Sequence, residues 1–367
     1  MKVITETLEP FAAEYPPEAL GDPAKLLFID IETTGFTAHS SDLYLIGCAY
    51  REAGHFCTKQ FFAEGPSEQA QIIEAFWDFA SAYDTLVHYN GNQFDVPYLQ
   101  QKCNMLELPD HTAEFTGIDL YRRVASVKHL LKLQNCKQRT LEFFLGIERK
   151  DVFTGGDLIG IYQDYVKDPT DIALDTLLLH NEDDLKGMLQ ILPMLSYYDL
   201  FEKGAVAKRV EAVTYKTKEN ETRKDLLITL EPPVALPVPF SARVAGCEVR
   251  YQDGELKLCI PITCGEMKYF YADYKSYYYL PEEDLALHKS VATFVDKEHR
   301  VQATAATCYT RKVSEYLPQW DYLFSPVFRV DYESREMFFE LTEDFKRDKK
   351  GFSDYASHVL KVMRSKH

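Results

Sequence analysis

Two carboxylates, one residue apart, end a strongly apolar run of the chain. Asp30 and Glu32 follow the apolar residues 26–29 and precede a Thr-Thr-Gly sequence at 33–35. Side chains at positions i and i+2 of a strand lie on the same face, so these two negative charges are close together. Like charges held together cost free energy unless a cation binds them. The pair therefore predicts a metal site at the end of a strand.

Two further clusters can complete such a site. Asp95 follows an Asn-Gly turn at 90–91 and precedes Pro97, which predicts a position at or near a helix start. A capping role there, worth about 1 kcal/mol, is compatible with metal binding. His180 and Asp184 lie four residues apart in an apolar helical repeat, so they share one helix face. Three ordered carboxylate clusters suggest a two-metal phosphodiesterase.

The chemistry of these side chains indicates the cations and the role of the histidine. Carboxylates suit hard cations such as Mg²⁺ or Mn²⁺, which prefer oxygen ligands. A histidine one turn from a metal-binding carboxylate can orient or deprotonate a water, although His180 taken alone is more often a structural residue. Glu182 and Asp183 are predicted to point away from the site, towards solvent, with Asp183 as the fallback ligand if the helix register differs.

An α/β framework is needed to bring these groups together. Apolar patterns predict a meander of three strands, then alternating helices and a short buried strand, then helices from 120 to 203. The predicted strands are 26–31, 43–51, 55–63 and 85–89, and helices are predicted at 68–83 and from 96 onward. Asp30 and Glu32 then lie at the carboxyl edge of a central strand, where open α/β sheets place their sites.

The chain of 367 residues exceeds the usual size of one domain, so two domains are expected. We predict an irregular lead-in over 1–24, an α/β domain over 25–204 and a β-rich domain over 205–367. Strand-like runs in the last part are 208–217, 226–230, 248–251, 256–262, 267–273, 291–296, 301–308 and 327–332. Its Tyr-rich stretch, 269–279, either stacks nucleobases or packs as half-buried rings of a sheet.

All of the net charge of −16 lies in the first 200 residues. Within them, the segment 122–150 has eight basic residues against two acidic ones, and it either follows a phosphate backbone or is a solvated surface. The basic residues are Arg122, Arg123, Lys128, Lys132, Lys137, Arg139, Arg149 and Lys150.

No apolar run approaches the roughly 18 residues of a membrane span, and the N-terminus lacks the pattern of a signal peptide, so we expect a cytoplasmic protein. The eight cysteines form no C-x-x-C pair, which argues against a zinc ribbon or a dithiol redox site.

Three ordered motifs carry a family resemblance. They are Phe28-Ile29-Asp30-Ile31-Glu32-Thr33-Thr34-Gly35, Tyr89-Asn90-Gly91-x-x-Phe94-Asp95 and His180-Asn181-x-x-Asp184. This order over residues 25–200 resembles the DEDD exonucleases of the ribonuclease H-like superfamily, and most of all the YprB-like proteins. The resemblance implies a ribonuclease H-like mixed sheet flanked by helices. It also implies metal-dependent 3′–5′ hydrolysis of single-stranded DNA or RNA.

The resemblance also implies roles for individual residues. Asp30, Glu32 and Asp184 would hold one Mg²⁺ or Mn²⁺ ion, while Asp30 and Asp95 would hold a second. Asp119 lies where relatives often have an additional acidic residue. The positions expected to contact the terminal nucleotide are Thr33, Gly35, Phe36, Asn90 and Asn181, with Phe36 packing on its base.

One position departs from the family pattern. Relatives with a catalytic histidine place it five residues before the last aspartate, where this chain has Leu179, whereas His180 occupies the spacing used by relatives with tyrosine. The departure leaves open a non-catalytic nucleic-acid-binding module on the same fold. A structure-specific endonuclease also remains open, as does a reading in which the acidic groups are only caps and surface.

Overall fold

The computed structural model describes residues 1–11, 15–148 and 155–366. The chain divides into two compact units, the first made of Met1–Asp199 with Val234–Val238 and the second of Leu200–Pro233 with Pro239–His367. Arg149 and Lys150 of the predicted basic segment lie outside the described residues. Within the described ranges, no helix is long and apolar enough to cross a membrane.

A six-stranded mixed sheet forms the centre of the first unit. Its strands are β1 (Lys2–Thr7), β2 (Leu26–Thr33), β3 (Leu43–Glu52), β4 (His55–Phe62), β5 (Thr85–His88) and β6 (Thr116–Asp119). Their order is β1-β4-β3-β2-β5-β6, with β2 antiparallel to β3 but parallel to β5, and β5 parallel to β6. The carboxyl ends of β2, β5 and β6 therefore meet at one edge. The predicted meander and central strand are confirmed.

Helices cover both faces of this sheet. They are α1 (Gln69–Ala80), α2 (Asp95–Met105), α3 (Leu120–Ala125), α4 (Lys128–Leu131), α5 (Gln138–Leu145), α6 (Gly155–Lys167) and α7 (Asp171–Gln190), followed by α8 (Leu195–Lys203), which crosses the boundary between the units. Phe76 of α1 packs with Leu27 and Ile29 on one face, while Tyr162 of α6 stacks on Tyr44 at 4.3 Å on the other. A strand covered on both sides is apolar throughout, as the run before Asp30 is.

Two predictions for the first unit are wrong. The N-terminal lead-in is not irregular throughout, because Lys2–Thr7 forms β1 and pairs antiparallel with β4. Asp183 does not face solvent but is 7% exposed. The reason is that α7 contacts β2, β3, α5 and α6, so it is packed on more than one side.

The second unit is rich in β-structure, as predicted. Its strands are β7 (Val206–Lys216), β8 (Thr222–Glu231), β9 (Phe240–Val244), β10 (Cys247–Gln252), β11 (Glu255–Pro261), β12 (Thr263–Phe270), β13 (Tyr277–Leu280), β14 (Leu285–His288), β15 (Val301–Gln302), β16 (Tyr309–Gln319) and β17 (Met337–Glu340), and its helices are α9 (Lys289–Ala292) and α10 (Lys349–Ser365). The strands form sheets in the orders β7-β8-β11-β10-β9, β12-β16-β17 and β14-β13-β15.

Several details of the second unit differ from the prediction. The run predicted as a strand at 291–296 begins inside α9, 327–332 contributes only isolated bridges, and 301–308 is a strand only at Val301–Gln302. The strands β9, β13, β14, β16 and β17 and the helix α10 were missed. In the Tyr-rich stretch, Tyr271 stacks on Tyr277 at 4.9 Å and the Tyr279 hydroxyl donates to Asp284, which favours packed rings over nucleobase stacking.

Candidate metal centre

Strand β2 and helix α7 place three potential ligands together. The His180 Nε2 atom lies 3.7 Å from Glu32 Oε1 and 3.4 Å from Asp184 Oδ2. One ligand atom from each of these residues falls within 4.8 Å of the others. The spacing of four residues on α7 therefore does what the sequence predicts, since His180 and Asp184 share the face that meets β2. Leu179, the position at which relatives with a catalytic histidine carry that residue, is 39% exposed.

Asp95 reaches the same strand from α2, of which it is the first residue. Its Oδ1 atom accepts a hydrogen bond of 3.2 Å from the Ile31 N–H, the residue between Asp30 and Glu32. Burial raises the pKa of Asp95 to about 7. Its predicted position at a helix start is confirmed.

Asp30 lies among like charges. Burial raises its pKa well above the usual value, and the charges of Glu32, Asp184 and Asp95 raise it further. Four carboxylates that interact in this way, with a histidine beside them, form a donor set that a divalent cation would neutralise. The residues present therefore fit the metals that the sequence implies.

Asn181 holds Asp30 in place. Its Nδ2 atom donates to Asp30 Oδ2 at 2.9 Å, and its Oδ1 atom accepts from the Gln60 side chain at 3.0 Å. Gly47 on β3 makes room for this amide, because a Cβ atom there would lie 1.9 Å from Asn181 Oδ1. Asn181 is fully buried, a position that suits a residue orienting Asp30 rather than one contacting a nucleotide.

Gln60 and Gly47 are the residues that sequence reasoning missed. A glutamine within the otherwise apolar end of β4 and a glycine in the interior of β3 were weak signals that another segment packs closely against these strands. Their partner on α7 is 121 residues from Gln60, so no local pattern could identify it.

Asp119 fixes the turn that precedes Asp95. It ends β6, and its Oδ1 atom accepts from the backbone N–H of Asn90 at 3.0 Å and of Arg122 at 3.4 Å. Asn90 has a left-handed backbone with φ of 63°, and the next N–H, of Gly91, donates to His88 Nδ1 at 3.1 Å. The Asn90 backbone is thus engaged within the protein, and its side chain is half-buried.

The loop after β2 presents an exposed aromatic ring. The Thr33 hydroxyl donates to the Gly35 carbonyl at 2.8 Å, which closes the turn, so Thr33 shapes the loop. Phe36 is 92% exposed and lies edge-on to Phe94, with ring centroids 6.1 Å apart. An exposed ring on this loop suits the base-packing role predicted for Phe36.

Comparison with known proteins identifies the fold. A family of the RNase_H superfamily, RNase_H_2, matches residues 27–196. Among solved structures, the family B DNA polymerase of the archaeon Pyrobaculum calidifontis has 14% identity over 78% of this chain and 44% of its own, with a TM-score of 0.37. A product-bound exonuclease I has 9% identity over 56% of this chain and 58% of its own (TM-score 0.34), and E. coli exonuclease I in complex with a dA16 oligonucleotide has 11% identity over 56% and 54% (TM-score 0.28).

The chain thus spans about half the length of these solved proteins. No curated protein matches it. The family match covers the segment with the mixed sheet and the carboxylates, so the predicted ribonuclease H-like fold is confirmed.

Proposed function

We propose that the chain is a metal-dependent 3′–5′ exonuclease of the DEDD type that acts on single-stranded DNA or RNA. The observation that carries the proposal is the convergence of Glu32, His180 and Asp184 within 4.8 Å on β2 and α7. Acidic residues at the carboxyl edge of a ribonuclease H-like sheet support hydrolysis of a phosphodiester bond.

Each side chain has a role in this proposal. Asp30, Glu32 and Asp184 would hold one Mg²⁺ or Mn²⁺ ion, and Asp30 with Asp95 a second. When bound, the ions would supply positive charge that activates water and stabilises the charge that develops at the phosphate. Asn181 keeps the Asp30 carboxylate oriented, and the Ile31 N–H does the same for Asp95.

His180 is the proposed proton-handling group. Its Nε2 atom lies against both Glu32 and Asp184, where a neutral imidazole can accept or orient a proton of the attacking water.

The test uses the full chain with 5′-labelled single-stranded DNA and RNA, in Mn²⁺ and in EDTA. We expect a ladder that shortens from the 3′ end only in Mn²⁺, and its loss in Asp30→Asn and Asp184→Asn. Asp78→Asn, an exposed carboxylate of α1, serves as the matched control and should retain activity.

Other outcomes would replace the proposal. Cleavage of an oligonucleotide with a blocked 3′ end would indicate an endonuclease. A retarded complex that survives EDTA, without any ladder in Mn²⁺, would indicate the non-catalytic binding module. Full activity in Asp30→Asn would show that the carboxylates are not the catalytic centre.

A further inference from the structure

The described part of the basic segment, residues 122–148, contains the short helices α4 and α5 and most of α3, all in the first unit. Arg122, Lys132 and Lys137 are exposed there. Among the described residues, none of these three side chains has a carboxylate partner within ion-pair distance, whereas Lys167 and Arg51 of the same unit do. Their charges therefore remain available to a ligand.

Two contacts place Lys137 beside the metal centre. The residue before it, Cys136, accepts a hydrogen bond on its carbonyl from the Tyr89 hydroxyl, at the turn that leads to Asp95. The residue after it, Gln138, donates from Nε2 to the Asp184 carbonyl at 2.8 Å. The backbone of Lys137 is thus held between the elements that carry the second and third acidic motifs.

Arg122 is attached to the same edge of the sheet. Its backbone N–H donates to Asp119 Oδ1, the carboxylate oxygen that also holds the Asn90 N–H. Arg122 therefore lies in the first turn beyond β6, whose carboxyl end adjoins that of β5.

The surrounding charge makes these positions significant. All of the net charge of −16 belongs to the first 200 residues, and such an excess of acids repels a polyanionic strand. Cations without carboxylate partners near the metal centre would offset this repulsion for a strand that reaches the site.

We infer that Arg122 and Lys137 form a subsite for the backbone phosphates of a single-stranded nucleic acid, an inference that rests on the proposed nuclease function. It assigns the basic segment a role in holding the strand rather than in the chemical step. Each residue would neutralise one phosphate, with release of the counterions bound there.

The test measures binding of a fluorescent single-stranded oligonucleotide in EDTA over a range of salt concentrations. Because each phosphate contact on a single strand contributes about 0.7 to the slope of log Kobs against log salt, Arg122→Ala and Lys137→Ala should each lower that slope by about 0.7, and the double variant by about 1.4. Lys218→Ala, an exposed lysine of the second unit, is the control and should leave the slope unchanged.

A slope that is unchanged in both variants, or lowered equally by Lys218→Ala, would overturn the inference. Thermal unfolding of each variant at the wild-type temperature would show that the fold is intact. Wild-type hydrolysis of a small phosphodiester, thymidine 5′-(p-nitrophenyl phosphate), in Mn²⁺ tests the chemistry separately. If the wild type hydrolyses this substrate but the slopes do not change, the phosphate subsite is refuted and the proposed nuclease function stands. If the wild type does not hydrolyse it but the slopes fall, the nuclease function is refuted and the phosphate subsite stands.

Discussion

Replacing Asp95 by Asn should make the metal-free protein more stable at alkaline pH. Asp95 is buried and accepts a hydrogen bond from the Ile31 N–H, which the Oδ1 atom of an asparagine can also accept. The pKa of Asp95 is about 7, whereas an unfolded Asp titrates near 3.9. Between these values the folded state keeps a proton that the unfolded state has lost. Wild-type stability therefore falls as pH rises through this window, and the variant lacks that loss.

The size of the effect follows from the two pKa values. About three pKa units at 1.36 kcal/mol per unit give about 4 kcal/mol, absent near pH 4 and fully developed above about pH 7. Adding Mn²⁺ should stabilise the wild type more than the variant, because the variant lacks a proposed ligand of the second ion; one site contributes about 2.7 kcal/mol at a hundred times its Kd. The ionised Asp95 carboxylate lowers the free energy of unfolding in the absence of metal, and a bound cation should restore it. This behaviour is expected of a metal ligand.

The assay is urea denaturation in EDTA at several pH values between 4 and 8.5. The chain has two tryptophans, so a Trp320→Phe background leaves buried Trp77 as a reporter of the first unit. Asp78→Asn is again the surface control and should follow the wild type. Equal pH dependence in wild type and Asp95→Asn, or a wild type that is more stable than the variant at pH 8 in EDTA, would refute the reasoning.

Three further substitutions test the surroundings of the site. Asn181→Leu removes the charge-assisted bond to Asp30, so Mn²⁺ affinity measured by calorimetry should fall about 10- to 100-fold; unchanged affinity would contradict the orienting role. Gly47→Ala forces a Cβ atom onto Asn181 and should lower both the unfolding temperature and Mn²⁺ affinity, whereas wild-type values would show that the amide can move. Phe36→Ala removes an exposed ring, so the KM for an oligonucleotide should rise at an unchanged unfolding temperature, and an unchanged KM would exclude base packing there.

Local patterns were sufficient to predict the elements that carry the metal centre. The apolar run before Asp30 corresponds to β2, a strand buried on both faces, and the spacing of His180 and Asp184 corresponds to one face of α7. These signals depend only on residues a few positions apart. These local patterns determine which side chains share a face of a strand or helix. The position of β2 in the centre of the sheet then determines the sheet edge at which those side chains meet.

Contacts between distant segments could not be predicted in this way. The bond from Gln60 to Asn181 and the burial of Asp183 depend on how α7 packs against the sheet, which no periodicity within α7 reveals. The strand β1 was missed because it is mostly exposed and lacks an apolar run. The helix α10 did have a signal, since its buried residues Phe352, Tyr355, Val359 and Met363 recur at helical spacing.

The short stretch from Asp30 to Glu32 explains why the carboxylates can be held together at all. Two of its residues point side chains into the site, and the N–H of the third, Ile31, binds Asp95. One rigid piece of strand therefore sets the positions of acidic groups from β2 and α2, while Asn181 fixes Asp30 from α7. Apolar packing on both faces of β2 holds this piece of strand in place against the repulsion among the charges. Ligands positioned by a packed strand lose little conformational freedom when they bind a metal, which lowers the free-energy cost of binding.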